Sequence, residues 1–274
     1  MSDREAGTAR LLGHVVYELI PMKSTLAAAE HLPFGAAVSV TASPAKGMLA
    51  TVELCEALAG RGFHVIPHLS ARLTKSAGEL GQIVERLAGL GLTDAFVVGG
   101  DGADPGDFPD ALSLLEALAG LDHSFTRIGV AAYPEGHPVI DDARLRQALL
   151  DKQPHASYMT TQMCFDAERI STWIGEQRLA GIALPVVIGV PGVIETAKLV
   201  SIGARIGVGT SMRHLAKNRR ALWRLLRPGR YRPRKLVDAL ARIAAADELD
   251  IAGVHVFTFN QVEASAAFYE AARR

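Results

Sequence analysis

The chain has 274 residues, 49% of them hydrophobic, and its 29 lysines and arginines are matched by 29 aspartates and glutamates. That length can bury a sizeable core without disulfides or metal, and the balanced charge gives no general attraction to nucleic acid or to a membrane surface. No apolar run of signal-peptide length opens the sequence, and no stretch of about 18 uninterrupted apolar residues occurs; a soluble, cytoplasmic protein with small-molecule partners is expected.

The first strand is predicted at residues 14–20 (HVVYELI), where Glu18 interrupts an apolar run. A second follows at 36–42 (AAVSVTA), closing near Thr41, and then a helix in ATVELCEALAGRG, with Val52, Leu54, Cys55 and Leu58 apolar and Gly60 and Gly62 as its stop. The third strand, 63–69 (FHVIPHL), carries His68, and the next helix sets Leu80, Ile83, Val84 and Leu87 on one face before Gly89 and Gly91. Strands at 94–100 (DAFVVGG) and 127–133 (RIGVAAY) lead respectively to Asp101 and to the stiff, polar PEGHP, which sets Glu135 and His137 after Tyr133. A strand at 157–165 (SYMTTQMCF) contains Gln162, and Asp166 starts the helix DAERISTWIGEQRLAG. The last two strands are predicted at 185–190 (PVVIGV) and 253–259 (GVHVFTF), the latter followed by Asn260.

Continuous apolar runs, in place of alternating ones, are the mark of parallel strands covered on both faces. Eight of them alternating with helices predict an α/β fold, a (β/α)8 TIM barrel forming one catalytic domain over 1–274, with an Arg-rich extension at about 205–235. An open, doubly wound sheet is the competing architecture. Cys55 and Cys164 sit in apolar surroundings far apart in sequence and are expected as buried free thiols.

Barrel enzymes build their sites at the C-terminal ends of the strands. The polar residues there are Glu18, Thr41, His68, Asp101, Tyr133 with Glu135 and His137, Gln162 and Asn260. A carboxylate inside an apolar strand is costly unless it is paired or used, so Glu18 is either half of a buried ion pair or a functional acid. His68 alone reads as a structural histidine bonded to a carbonyl. The acidic GGDGADPGD loop lacks EF-hand spacing, and neither HExxH, GxSxG, a phosphate loop nor paired CxxC occurs, so no metal site is expected. No GxGxxG follows the first strand.

As a set, these strand ends resemble those of the methylenetetrahydrofolate reductase family, from about Val15 to Asn260. VAAYPEGHP is the most specific match and TTQMCFD the second; YELIP, VSVTAS, IPHLS, GGD, GVPGV and HVFTFN follow in order. The resemblance implies that Glu18 is the acid that helps protonate N10 and open the imidazolidine ring of 5,10-methylenetetrahydrofolate. Burial of a carboxyl favours its protonated form, which suits that role. It also implies that Asp101 lies near the pterin as a further catalytic and substrate-binding acid, and that Gln162, Phe257 and Gln261 contact the folate. Thr41, His68, Gly100, Ala132, Tyr133 and His137 match positions of the cofactor pocket.

Several departures concern the flavin of that family. Its arginine before the glycine-aspartate turn is Gly99 here, the tyrosine that follows is most nearly Phe108, and the lysine near the flavin diphosphate falls on Asp151, with Lys152 one place away. A diphosphate deprived of cationic partners binds weakly. The expectation is therefore a flavin-free member passing hydride directly from NADH or NADPH to the folate, with an FAD enzyme as the alternative. Two rivals share the pterin residues: a tetrahydrofolate-dependent methyltransferase or demethylase, and a folate-binding protein without turnover. The segment 213–235 holds ten lysines and arginines and no acid, which fits an anion site, a nucleic-acid patch or a solvated face; oligomeric state is left open.

Overall fold

The eight apolar runs become eight parallel strands that close on themselves, excluding the open sheet. The computed structural model describes residues 3–102, 104–205 and 229–273. Helix α1 (Asp3–Gly13) precedes β1 (Val15–Leu19), and α2 (Thr25–Ala29), β2 (Ala37–Val40), α3 (Gly47–Ala59), β3 (His64–Ser70), α4 (Ala77–Ala88) and β4 (Asp94–Val98) follow. The alternation continues with α5 (Ala111–Ala119), β5 (Arg127–Ala132), α6 (Asp142–Lys152), β6 (Tyr158–Thr161), α7 (Ala167–Leu179) and β7 (Val186–Pro191). A short antiparallel pair, β8 (Ile194–Glu195) and β9 (Arg230–Tyr231), flanks α8 (Thr196–Arg205). Helix α9 (Arg234–Ala244), β10 (Ile251–Phe257) and α10 (Val262–Arg273) end the chain, and the barrel runs β1-β10-β7-β6-β5-β4-β3-β2.

Helix starts are chemically marked. Asp166 accepts the backbone N–H groups of Glu168 and Arg169, Asp110 forms a capping box with Ser113, and Ser76 and Asp141 each accept an N–H three residues on. Such caps satisfy donors that have no partner within the helix.

Strand side chains divide between two cores. Val15, Tyr17 and Leu19 of β1 join the layer between barrel and helices, whereas Val16 belongs to an interior cluster with Ile66, Phe96, Tyr158 and Val187. Period-two alternation therefore sends Glu18 inward, above that cluster. At the N-terminal end of the barrel, Asp94 is buried against His64 Nε2 at 3.1 Å and Thr93 Oγ1 at 2.9 Å. Arg127 Nη1 approaches the other carboxylate oxygen at 3.4 Å while its guanidinium lies over the Tyr158 ring.

Three differences from the sequence reading have physical causes. β6 stops at Thr161, because Met163 and Cys164 are buried in the turn across the barrel mouth and not in the sheet. β10 begins two residues early, with irregular register between Ile251 and Gly253. α1 was not anticipated: its sequence is polar, and it is held by Leu11 and Leu12, by the close approach of Gly7 to Ala241 of α9 and by an Arg4–Asp238 ion pair. Cys55 and Cys164 are buried thiols outside any disulfide. Residues 206–228, most of the Arg-rich segment, lie outside the described residues. Among the described residues no helix is long and apolar enough to cross a membrane.

Candidate active site

At the C-terminal mouth of the barrel a cavity of about 160 Å³ opens onto the interior. Glu18, His68, Tyr133, Gln162, Phe257 and Ala132, all expected at the site, line it. Phe96, Val98, Ala131, Thr160, Thr161 and His255 complete the wall. No lysine or arginine is among these lining residues.

Glu18 is 6% exposed and His255 4% exposed, and Glu18 Oε2 lies 3.2 Å from His255 Nε2. The partner that makes a buried carboxyl tolerable is therefore this histidine from the neighbouring strand β10, not a lysine. His255 is the functional candidate that sequence reasoning missed. The signal was available, since it precedes Phe257 by two in a strand and so shares its face. Buried above the apolar cluster, the pair can hold one proton on the oxygen–nitrogen axis and present it to a ligand in the cavity.

His68 packs its ring against Phe96, with centroids 4.8 Å apart, and faces the His255 ring at 6.2 Å. Burial, with His255 nearby, pushes its pKa down to about 3, so it is a neutral imidazole. Its Nε2 is buried without a hydrogen-bond partner among the described residues. Tyr133 is raised above the ordinary phenol value by burial and then by the charge of Asp101.

The ends of β1 and β10 are tied together under the site. Asn260, in a left-handed conformation (φ 59°), accepts the Ile20 N–H at 2.9 Å and donates through Nδ2 to Ile20 O and Thr25 Oγ1 at 2.9 and 3.0 Å. The Thr258 hydroxyl donates to the Glu18 carbonyl and accepts the Asn260 N–H. The loop beyond β10 thus fixes the backbone that carries Glu18.

Other expected residues are placed around the cavity without lining it. Thr41 donates its N–H to Leu19 O beside the mouth. Gly100 has φ +80° and a Cβ there would sit 2.0 Å from Ser70 Oγ, so only glycine fits this turn. Asp101, next along, is exposed and acts on Tyr133 through its charge. His137 stands edge-on to Tyr133 with centroids 5.2 Å apart, after a turn closed by Gly136 N–H to Tyr133 O. Gln261 accepts the Glu195 N–H and is committed to β8. Gln162 faces the cavity, but its Oε1 accepts the Met163 N–H, leaving the amide NH2 for a ligand. Ala132 contributes to the cavity wall, yet it is fully buried in the outer core; Ala131 is the neighbour packed on the interior cluster. Lys152 is buried in the helical layer, with its pKa pushed down to about 8 by burial against the opposing pull of Asp110, and does not line the cavity.

Comparison with known proteins adds three findings. Residues 23–210, more than half of the chain, match the family described as methylenetetrahydrofolate reductase. A stretch of 65 residues is 35% identical to methylenetetrahydrofolate reductase 1 of Schizosaccharomyces pombe, covering 23% of this chain and 11% of that protein. A solved protein from Clostridium thermocellum, which binds two copies of 5-methyl-5,6,7,8-tetrahydrofolic acid, has the same fold, with a TM-score of 0.68 over 99% of both chains at 12% identity. Glu18 and His255 both fall outside the matched stretch; the barrel brings them beside Gln162 and Tyr133 within it.

Proposed function

The chain belongs to the methylenetetrahydrofolate reductase family, and from that premise we propose that it reduces 5,10-methylenetetrahydrofolate to 5-methyltetrahydrofolate with hydride taken directly from NADH or NADPH. The observation that carries this reading is the buried Glu18–His255 pair at 3.2 Å on the wall of the mouth cavity. Glu18 delivers its proton to N10, the bond from N10 to the methylene carbon breaks, and the electron pair stays on N10 as the N5 iminium forms. Hydride then adds to the methylene carbon, giving the methyl group and the oxidised nicotinamide. His255, bonded to Glu18 Oε2, orients the carboxyl and returns a proton to it after turnover. The Gln162 amide donates to the pterin, and Phe257 with Phe96 supplies apolar walls for flat rings.

A flavin supplies hydride in two half-reactions where it is bound. Its diphosphate needs cations, and among the described residues none lines this cavity, Gly99 replaces the arginine, and Lys152 is buried in the helical layer. These observations support the flavin-free reading, in which nicotinamide and folate occupy the mouth together with the reacting carbons about 3–3.5 Å apart. The C. thermocellum protein of this fold binds the product of the proposed reaction, which supports a folate at the mouth and equally a folate-binding protein without turnover.

Nicotinamide oxidation by the purified protein, with and without methylenetetrahydrofolate and added FAD, tests the proposal. Folate-dependent oxidation that FAD does not stimulate, with intersecting initial-rate lines, is expected. Parallel lines or a flavin absorption band in the purified protein refute the direct transfer, and Glu18→Gln is expected to lower kcat by about 10²–10⁴.

A further inference from the structure

Glu18, His68 and His255 come from β1, β3 and β10, and each is buried. One carboxylate oxygen and one nitrogen from each ring lie within 4.8 Å of one another. We propose that this two-histidine, one-carboxylate set is a binding site for a divalent transition-metal ion of the zinc type, and that metal and folate exclude each other there. The metal site stands apart from the reductase reading, whereas the exclusion rests on the folate lying at this mouth.

The donor chemistry selects the ion. Imidazole nitrogen suits zinc, cobalt, nickel and iron, whereas calcium and magnesium take oxygen ligands. Geometry agrees: ligands about 2.1 Å from a tetrahedral ion stand about 3.4 Å apart, close to the 3.2 Å of Glu18 and His255. The three donors lie within 4.8 Å of one another, so the widest pair closes by up to about 1.4 Å on binding. The His68 Nε2 is buried with no partner to give up among the described residues, and a ligand there relieves an unpaired buried nitrogen. The remaining coordination positions face the cavity of about 160 Å³ and are open to water. A carboxylate that holds a metal can no longer act as an acid.

Untagged full-length protein, stripped with chelator and titrated with cobalt(II) chloride, tests the proposal. One equivalent is expected to bind with micromolar affinity, to give visible d–d bands of low coordination number, and to be displaced by zinc. His68→Asn and His255→Asn, checked for folding by circular dichroism, should each weaken binding by more than the about 10–100-fold that loss of a supporting partner causes. Should either variant unfold, His68→Gln and Glu18→Gln serve in its place. Added 5-methyltetrahydrofolate should weaken the apparent cobalt affinity. No binding below millimolar cobalt, or binding unchanged in the variants, overturns the site; binding unaffected by folate overturns the exclusion. Metal binding by a protein that, once stripped of metal, fails to oxidise nicotinamide sinks the reductase reading and leaves this site standing.

Discussion

Asn260 is the residue whose removal tests most directly how the barrel holds its acid. Its side chain makes three hydrogen bonds to Ile20 and Thr25, across the seam between β10 and β1. At about 0.5–1.5 kcal/mol each, Asn260→Gly should lower unfolding free energy by about 2–4 kcal/mol. Asn260→Ala should lose about 1 kcal/mol more, because φ 59° is unfavourable for a residue with a plain Cβ. Domain stabilities of about 5–15 kcal/mol leave both variants folded. Equilibrium unfolding in guanidinium followed by far-UV circular dichroism reads these differences as a midpoint shift at constant slope. Since the same loop bonds the Glu18 carbonyl through Thr258, folded Asn260→Gly should also lose at least about tenfold in kcat, as misplacement of a catalytic group does. A loss under about 1 kcal/mol in Asn260→Gly, or Asn260→Ala as stable as Asn260→Gly, would refute the latch.

Three further outcomes follow from groups away from the seam. The Lys152 amine has a folded pKa of about 8 against 10.5 unfolded, so between those values the unfolded chain binds more protons and stability rises with pH. Lys152→Met should flatten that rise and be more stable at neutral pH by about 2–3 kcal/mol; urea titrations from pH 7 to 10 check both, using about 1.4 kcal/mol per pKa unit. Burial alone would raise the Asp94 carboxyl, but bonds from His64 and Thr93 and the charge of Arg127 hold it below its usual value. Its contribution is therefore present above the unfolded pKa of 3.8 and lost as pH falls through the folded one; Asp94→Asn should lose about 1–3 kcal/mol at neutral pH and show a shallower acid limb in thermal melts. A Cβ on Gly129 would stand 2.3 Å from the Tyr158 ring, so Gly129→Ala should cost about 1–3 kcal/mol by overpacking, and a thermal midpoint equal to that of the native protein would count against the interior packing described.

The barrel was legible because its strands are continuous apolar runs separated by helices whose stops and caps are written in glycine and aspartate, as at Gly60 and Asp166. Glu18 was legible as an acid with no business in an apolar strand. Its partner was not, because the residues closing each strand were sought and His255 lies one inward layer deeper. Asp101 and Gln261 share the motifs of the site, yet a motif does not report that one side chain ends in solvent and the other bonds β8. Residues 162–165 read as strand because a buried loop across a barrel mouth is as apolar as a strand. α1 escaped notice because its buried positions, Gly7, Leu11 and Leu12, include a glycine and make no apolar stripe.

The interior cluster of Val16, Ile66, Phe96, Tyr158 and Val187 makes the barrel blind-ended. Water cannot reach Glu18 from the far end, so every proton that the acid gains or gives travels through the same opening that admits its ligands. Once a flat molecule covers that opening, the acid can pass its proton only to that molecule, and it is resupplied when the mouth opens again.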